Sequence, residues 1–122
     1  MGAILIVEDQ LLIGMELRDM LEDQGFRVLG PVGRLSDATG LSRSEEILAA
    51  VLDYDLHGEP VLPLALELRE RGIPFLILSA FPRETILAGP LRNVPHLEKP
   101  ADPEPTIELL RTIIQRPVKS SV

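Results

Sequence analysis

The stretch AAVLDYDLHGEP, residues 49–60, joins an apolar run to a polar end. Its first part belongs to ILAAVL (47–52), an unbroken aliphatic run typical of a strand that is buried on both faces of a parallel sheet. Asp53 and Asp55 follow the run, and Gly58 then predicts a turn residue with a positive backbone φ. A buried strand that ends on two carboxylates indicates a functional edge of a sheet.

The same pattern recurs on both sides of this stretch. Apolar runs predict four further strands, at AILIV (3–7), FRVLG (26–30), IPFLILS (73–79) and PHLEK (95–99). Helical spacing, proline starts and glycine stops predict helices at 10–24, 60–72 and 102–115. Residues 31–46 predict a short or broken helix, and 81–95 leave room only for a short one. Alternating strands and helices predict a parallel sheet with helices on both faces.

Composition narrows the class of protein. The chain has 122 residues, which fits one domain, and its net charge of -7 argues against a nucleic-acid partner. It contains no cysteine, which excludes disulfides and zinc–thiolate sites. No apolar run is long enough for a membrane span or a secretion signal, so we expect a cytoplasmic protein with no membrane contact.

Polar groups follow four of the five predicted strands. In a doubly wound sheet, ligands bind outside the carboxyl ends of the strands. If strands one, three, four and five are neighbours, the groups at their ends share one pocket. The groups in question are Glu8, Asp9, Asp53, Asp55, Ser79 and Lys99.

This set of groups is suited to phosphoryl chemistry. Crowded carboxylates repel one another and resist ionisation unless a cation joins them, and oxygen ligands in a small open site favour Mg²⁺. A metal ion, the ammonium of Lys99 and the hydroxyl of Ser79 around one carboxylate would bind a phosphoryl group. That carboxylate would be the nucleophile and would form an aspartyl phosphate.

Four segments, ILIVEDQ (4–10), VLDYDLHGE (51–59), ILSA (77–80) and LEKP (97–100), resemble the receiver domain of bacterial two-component response regulators. The resemblance spans nearly the whole chain: 1–117 as the receiver domain and 118–122 as a flexible tail. It implies an α/β, flavodoxin-like, doubly wound fold with five parallel strands in the order 2-1-3-4-5.

The resemblance implies a role for each acidic residue. Asp53 is the phosphoacceptor, and Glu8, Asp9 and Asp53 hold Mg²⁺, with Asp9 the more direct ligand. Asp55 contributes its backbone carbonyl to the metal. The phosphoryl donor is a sensor histidine kinase or a histidine phosphotransfer protein, and receivers of this family also pair in several ways, which leaves a homodimer open.

Three residues near the carboxyl-terminal strands complete the implied site. Lys99 pairs with one phosphoryl oxygen. The Lys99–Pro100 bond that follows it is expected to be cis. Ser79 bonds another oxygen and moves inward on activation. His96 stands where the family usually has a switch aromatic, which puts the usual coupling between the Ser or Thr hydroxyl and that aromatic in doubt. We expect His96 to be a surface residue without a role.

A narrower resemblance concerns the subfamily. GPV (30–32), LHGE (56–59), GIPFLILSAFPRE (72–84) and RNVPHLEKP (92–100) resemble single-domain receivers of alphaproteobacterial stress and histidine-kinase networks. This implies a stand-alone receiver that signals by protein contact or by phosphorelay transfer.

The first predicted helix offers a docking surface. Placing Ile13, Leu17, Met20 and Leu21 inward turns Leu11 and Met15 outward beside the acidic pocket. The resemblance favours these two residues as contacts for the phosphotransfer partner. His57, in the turn after the acidic strand, is expected to be an exposed loop residue rather than a metal ligand.

Two other functions fit parts of the pattern. An Asp-nucleophile phosphohydrolase also uses an Asp-x-Asp motif, but that motif belongs after the first strand, and no cap domain is present. A pseudo-receiver would be a phosphorylation-independent interaction module with an inactive site. We therefore expect a phosphoacceptor that is not an enzyme beyond its own phosphorylation and dephosphorylation.

Overall fold

The computed structural model describes residues 2–87 and 89–115, so the predicted tail at 118–122 lies outside the described residues. The elements follow in the order β1 (Ala3–Val7), α1 (Leu11–Asp23), β2 (Val28–Val32), α2 (Leu35–Ser44), β3 (Ile47–Asp53), β4 (Asp55–Leu56), β5 (Glu59–Pro60), α3 (Leu62–Glu70), β6 (Phe75–Ser79), α4 (Arg83–Leu87), β7 (His96–Glu98) and α5 (Pro103–Gln115). None of the described helices is long and apolar enough to cross a membrane.

Five strands form one parallel sheet in the order β2-β1-β3-β6-β7. The strands β4 and β5 form a separate two-stranded antiparallel hairpin. When the hairpin is left out of the count, the order is 2-1-3-4-5, which confirms the predicted flavodoxin-like, doubly wound fold. β1 and β3 lie at the centre of the sheet, and this explains why their apolar runs are unbroken.

The core has two layers, one on each face of the sheet. Because successive strand residues point to opposite faces, Leu5 and Val7 pack with α2 and α3, whereas Ile4 and Ile6 pack with α1 and α5. Both layers are aliphatic for the most part, as the low aromatic content requires. The sheet is therefore covered on both sides, and its carboxyl-terminal edge remains open for a site.

The prediction of which face of α1 is buried was partly wrong. Leu17 and Leu21 are buried, but Ile13 is 41% exposed and Met20 is only partly buried. The third buried residue of α1 is Gly14, where an added β-carbon would lie 2.5 Å from Cβ of Pro31. A glycine has no side chain for a hydrophobic pattern to register, so the sequence favoured its neighbour Ile13.

Two other segments differ from their predictions. Residues 31–46, predicted to hold a short or broken helix, contain the continuous ten-residue α2. The hairpin of β4 and β5 was not predicted, because each strand has only two residues. The predicted short helix in 81–95 is the five-residue α4.

Candidate functional site

The polar residues selected from the sequence lie together at the carboxyl-terminal edge of the sheet. Glu8 follows β1, Asp53 ends β3 and Ser79 ends β6, while Lys99 follows β7. The backbone N–H of Lys99 donates to the carbonyl of Ser79 over 2.8 Å, which joins the ends of β6 and β7. The Lys99–Pro100 bond is cis, as predicted, and Gly30–Pro31 is a second cis bond that the sequence analysis did not identify.

Lys99 forms ion pairs with two carboxylates. Its Nζ atom lies 3.0 Å from Oδ2 of Asp53 and 2.9 Å from Oε1 of Glu8. All three side chains are largely buried, and Asp53 is only 5% exposed. Charged groups so far from water need partners, and the ammonium between two carboxylates provides one for each.

The electrostatics make Asp53 an unusual carboxyl group. Burial and the neighbouring Glu8, opposed by Lys99, together raise the pKa of Asp53 to about 7. Burial alone would lower the pKa of Lys99, but its hydrogen bonds to Glu8 and Asp53 outweigh this effect and raise the pKa. The site therefore holds more negative charge than its one ammonium compensates.

The acidic residues have the arrangement of a metal site. Glu8, Asp9 and Asp53 each offer an oxygen, and the three oxygens lie within 4.8 Å of one another. Oε1 of Glu8 is fully buried, and although it faces the charge of Lys99, no donor among the described residues forms a well-directed hydrogen bond to it. Three carboxylates and a buried oxygen that lacks a donor fit a hard divalent cation.

Ser79 is buried beside the acidic cluster, and its hydroxyl has a partner outside the cluster. Its Oγ accepts a hydrogen bond from the backbone N–H of Phe81 over 2.9 Å. The ring of Phe81 meets the ring of Tyr54 edge to face, with 5.6 Å between the centroids. An inward movement of the hydroxyl would release the N–H of Phe81, next to an aromatic pair that adjoins Asp53.

The turn after β4 contacts Asp9, a contact that the sequence analysis missed. His57 is 82% exposed, as predicted, but its backbone N–H donates to Oδ2 of Asp9 over 3.1 Å. Its Nε2 atom lies 3.4 Å from the same oxygen. The side chain of Asp55 accepts from the N–H of Gly58, whose positive φ of 86° matches the prediction.

The predicted docking residues of α1 point outward. Leu11 and Met15 are exposed near the acidic edge, and Leu12, which the sequence analysis did not select, is 85% exposed. Ile13 is exposed as well, so four apolar residues of the first half of α1 face solvent. Exposed apolar residues beside a polar site are candidates for a contact with another protein.

His96 differs from its prediction. It is half-buried rather than fully on the surface, and its Nε2 atom is buried with no hydrogen-bond partner among the described residues. Burial lowers the pKa of His96, and the charge of Arg83 lowers it further, while Glu98 opposes the shift. The imidazole is therefore favoured in its neutral form.

No protein-family model matches the chain. A curated relative is the transcriptional regulatory protein PdtaR of Mycobacterium tuberculosis, which is 29% identical over 112 residues. That match covers 87% of this chain and 55% of the relative. The chain therefore spans about half the length of the curated relative that it matches.

Solved structures agree in fold. A response regulator receiver domain from Methylobacillus flagellatus is 26% identical with a TM-score of 0.75, covering 93% of this chain and 98% of that one. A response regulator protein from Burkholderia pseudomallei, solved with a phosphorylated aspartic acid and a calcium ion, has a TM-score of 0.78. It is 21% identical, and the match covers 94% of this chain and 69% of that one.

Proposed function

Since this chain is a response regulator receiver domain, we propose that Asp53 accepts a phosphoryl group from a phosphohistidine. The donor would be a sensor histidine kinase or a histidine phosphotransfer protein. The observation that carries the proposal is the ion pair of Lys99 with Asp53 and Glu8 at the carboxyl ends of the strands. Its geometry holds a cation beside the carboxylate that would receive the phosphoryl group.

The residues divide the reaction between them. A carboxylate oxygen of Asp53 would form the new P–O bond as the P–N bond to the donor imidazole breaks. The imidazole would leave as the neutral base, keeping the proton on its other ring nitrogen. The ammonium of Lys99 would then bind a phosphoryl oxygen, and the hydroxyl of Ser79 would bind another after releasing the N–H of Phe81. Catalysis of this kind needs mainly positioning and charge compensation.

A divalent cation completes the proposal, and we propose Mg²⁺. Glu8, Asp9 and Asp53 would hold it, with the backbone carbonyl of Asp55 as a further ligand. When bound, the cation neutralises the excess negative charge and polarises the phosphoryl group. The Burkholderia response regulator was solved with both a phosphorylated aspartic acid and a calcium ion, which supports a divalent cation as part of this proposal.

The test of this function is phosphorylation with a small donor. We expect the wild-type protein to gain the mass of one phosphoryl group when it is incubated with Mg²⁺ and acetyl phosphate. Asp53→Asn should gain none, because the amide cannot act as the nucleophile. Asp55→Asn is the matched control: it changes a neighbouring carboxylate, keeps the backbone carbonyl and should still be labelled.

Other outcomes have distinct meanings. Labelling of Asp53→Asn would place the acceptor elsewhere and refute the proposal. A folded wild type that accepts no phosphoryl group from acetyl phosphate or from a phosphotransfer protein would be a pseudo-receiver. Turnover of general phosphate esters would indicate a phosphohydrolase, whereas we propose that this chain acts only on its own aspartyl phosphate.

A further inference from the structure

His57 has an unusual backbone conformation at the edge of the site. Among the described residues other than glycine, it has the only positive φ, 51°, and Gly58 follows with 86°. Two such residues between β4 and β5 form the two-residue turn for which Asn-Gly and Asp-Gly are preferred. Positive φ is uncommon for residues with a β-carbon, and histidine is among the few that are enriched there, together with asparagine and aspartate.

The turn brings the imidazole of His57 to the acidic cluster. Its Nε2 atom lies 3.4 Å from Oδ2 of Asp9, and that side chain also offers an oxygen to the cluster with Glu8 and Asp53. Neighbouring ligands of a small octahedral cation are about 3 Å apart, which is close to this separation. The backbone N–H of His57 bonds the same oxygen and holds the turn in register with Asp9.

The imidazole is accessible to an incoming ion. His57 is largely exposed and lines an open cleft of about 430 Å³, together with Leu56 and Glu59 on its side and Gly33, Arg34 and Ser36 opposite. The loop with Gly33 lies tightly against Asp9, since an added β-carbon would come within 3.1 Å of its Cα. Asp9 is thus fixed between this loop and the turn, with His57 on the solvent side.

An imidazole changes which metal ions such a site prefers. Oxygen ligands alone suit Mg²⁺, whereas imidazole nitrogen favours first-row transition metal ions. We propose that His57 is an additional ligand of the metal site and shifts its preference from Mg²⁺ towards ions such as Mn²⁺ and Co²⁺. This inference rests on the proposed function, because it takes Glu8, Asp9 and Asp53 as metal ligands.

The direct test is nitrogen coupling to bound Mn²⁺. Pulsed electron paramagnetic resonance of the untagged wild type with Mn²⁺ should show the ¹⁴N signal of a coordinated imidazole. His57→Asn should lose it, because asparagine tolerates the left-handed backbone and keeps the N–H bond to Asp9 but lacks the ring. The chain has two histidines, so His96→Asn is the matched control and should keep the signal.

Calorimetry supplies an independent readout. The ratio of Co²⁺ affinity to Mg²⁺ affinity should fall about tenfold or more in His57→Asn and stay unchanged in His96→Asn. Mn²⁺ binding without imidazole coupling, or an unchanged ratio, would overturn this inference and leave the proposed metal site intact. If the wild type bound none of the three ions, the metal site of the proposed function would fail as well.

Discussion

At the scale of single residues, the site depends on the competition between burial and charge. Asp53 and Glu8 are both buried, and Lys99 is the cation that separates their charges. Burial raises the pKa of Asp53 to about 7, so this carboxyl group is partly protonated near neutral pH without a metal ion. Lys99 therefore has two roles: it stabilises the metal-free fold, and it is the proposed partner of the phosphoryl group.

Replacing Lys99 by methionine tests the first role. Lys99→Met keeps most of the length of the side chain and leaves two buried carboxylates without their ammonium, so we expect a loss of about 3 kcal/mol in unfolding free energy without metal. Added Mg²⁺ should recover part of this loss, because a cation again compensates the carboxylates. Urea denaturation with and without Mg²⁺ measures both effects.

A matched control uses an exposed ion pair. Arg43 bonds Glu67 on the surface, and exposed pairs contribute little to stability. Arg43→Met should therefore cost much less than Lys99→Met, and Mg²⁺ should not alter its effect. Equal losses in the two variants would show that the buried pair has no special weight.

At the scale of elements, the loops and the first half of α1 surround the strand ends. The turn between β4 and β5 reaches Asp9, and the loop with Gly33 packs on the same residue. On the other side, α1 turns Leu11, Leu12 and Met15 to solvent beside the acidic edge. A partner that approaches Asp53 along α1 would meet these apolar side chains first.

Charge substitutions on α1 test the docking surface. Leu11→Asp or Met15→Asp should slow transfer from a histidine phosphotransfer protein by about tenfold or more, because a buried carboxylate without a partner opposes binding. Labelling by acetyl phosphate should stay unchanged. A phosphotransfer time course measures the transfer rate, and intact mass spectrometry measures labelling by acetyl phosphate.

Leu66→Asp is the control for this surface. Leu66 is an exposed leucine of α3, which packs on the opposite face of the sheet, so its replacement should leave transfer unaffected. Normal transfer to the α1 variants would refute the docking surface. Equal loss of transfer and of acetyl phosphate labelling would indicate a folding defect.

At the scale of the whole molecule, the fold assembles a charged site from distant parts of the chain. Lys99 is 91 residues from Glu8 and 46 from Asp53, yet both bonds form at one edge of the sheet. The two aliphatic layers cover the faces of the sheet and hold the strand ends in place. The stability of the core therefore maintains an edge whose own charges oppose folding.

This opposition predicts how stability depends on pH. The pKa of Asp53 is about 7 in the folded protein against 3.8 for an ordinary aspartate, so folding favours its protonated form. Its contribution is present below about pH 4 and is lost as the pH rises through about 7. Without metal, the unfolding free energy should therefore fall between about pH 4 and pH 7, by on the order of 1 to 4 kcal/mol.

Asp53→Asn and Mg²⁺ separate this effect from other titrations. The variant cannot ionise at this position, so its unfolding free energy should fall less over the same range. Mg²⁺ should stabilise the wild type more at about pH 8 than at about pH 5, because ligand binding to the folded state adds to stability. A pH profile that is the same for the wild type and the variant would contradict the raised pKa.

The fold and the core of the site were predictable from local patterns. Strand and helix periodicities give the alternation, and parallel strands bring the groups at their carboxyl ends to one edge. The proximity of Glu8, Asp53 and Lys99 follows from that rule once strands one, three, four and five are neighbours, and the family resemblance supplied that order. The short α4 and the outward position of Leu11 also followed from residue type and spacing.

Other features depended on contacts between segments far apart in sequence. The burial of Gly14 rather than Ile13 is decided by Pro31. His57 lies beside Asp9, 48 residues away in sequence, because the turn between β4 and β5 packs there. Hydrophobic periodicity reports only which residues share a face of one element. By itself, the sequence determined the order of the elements and the edge where the polar groups meet. The tertiary structure decided the distances between those groups and the pKa of Asp53, because both depend on how deeply the strand ends are buried and how closely their side chains approach.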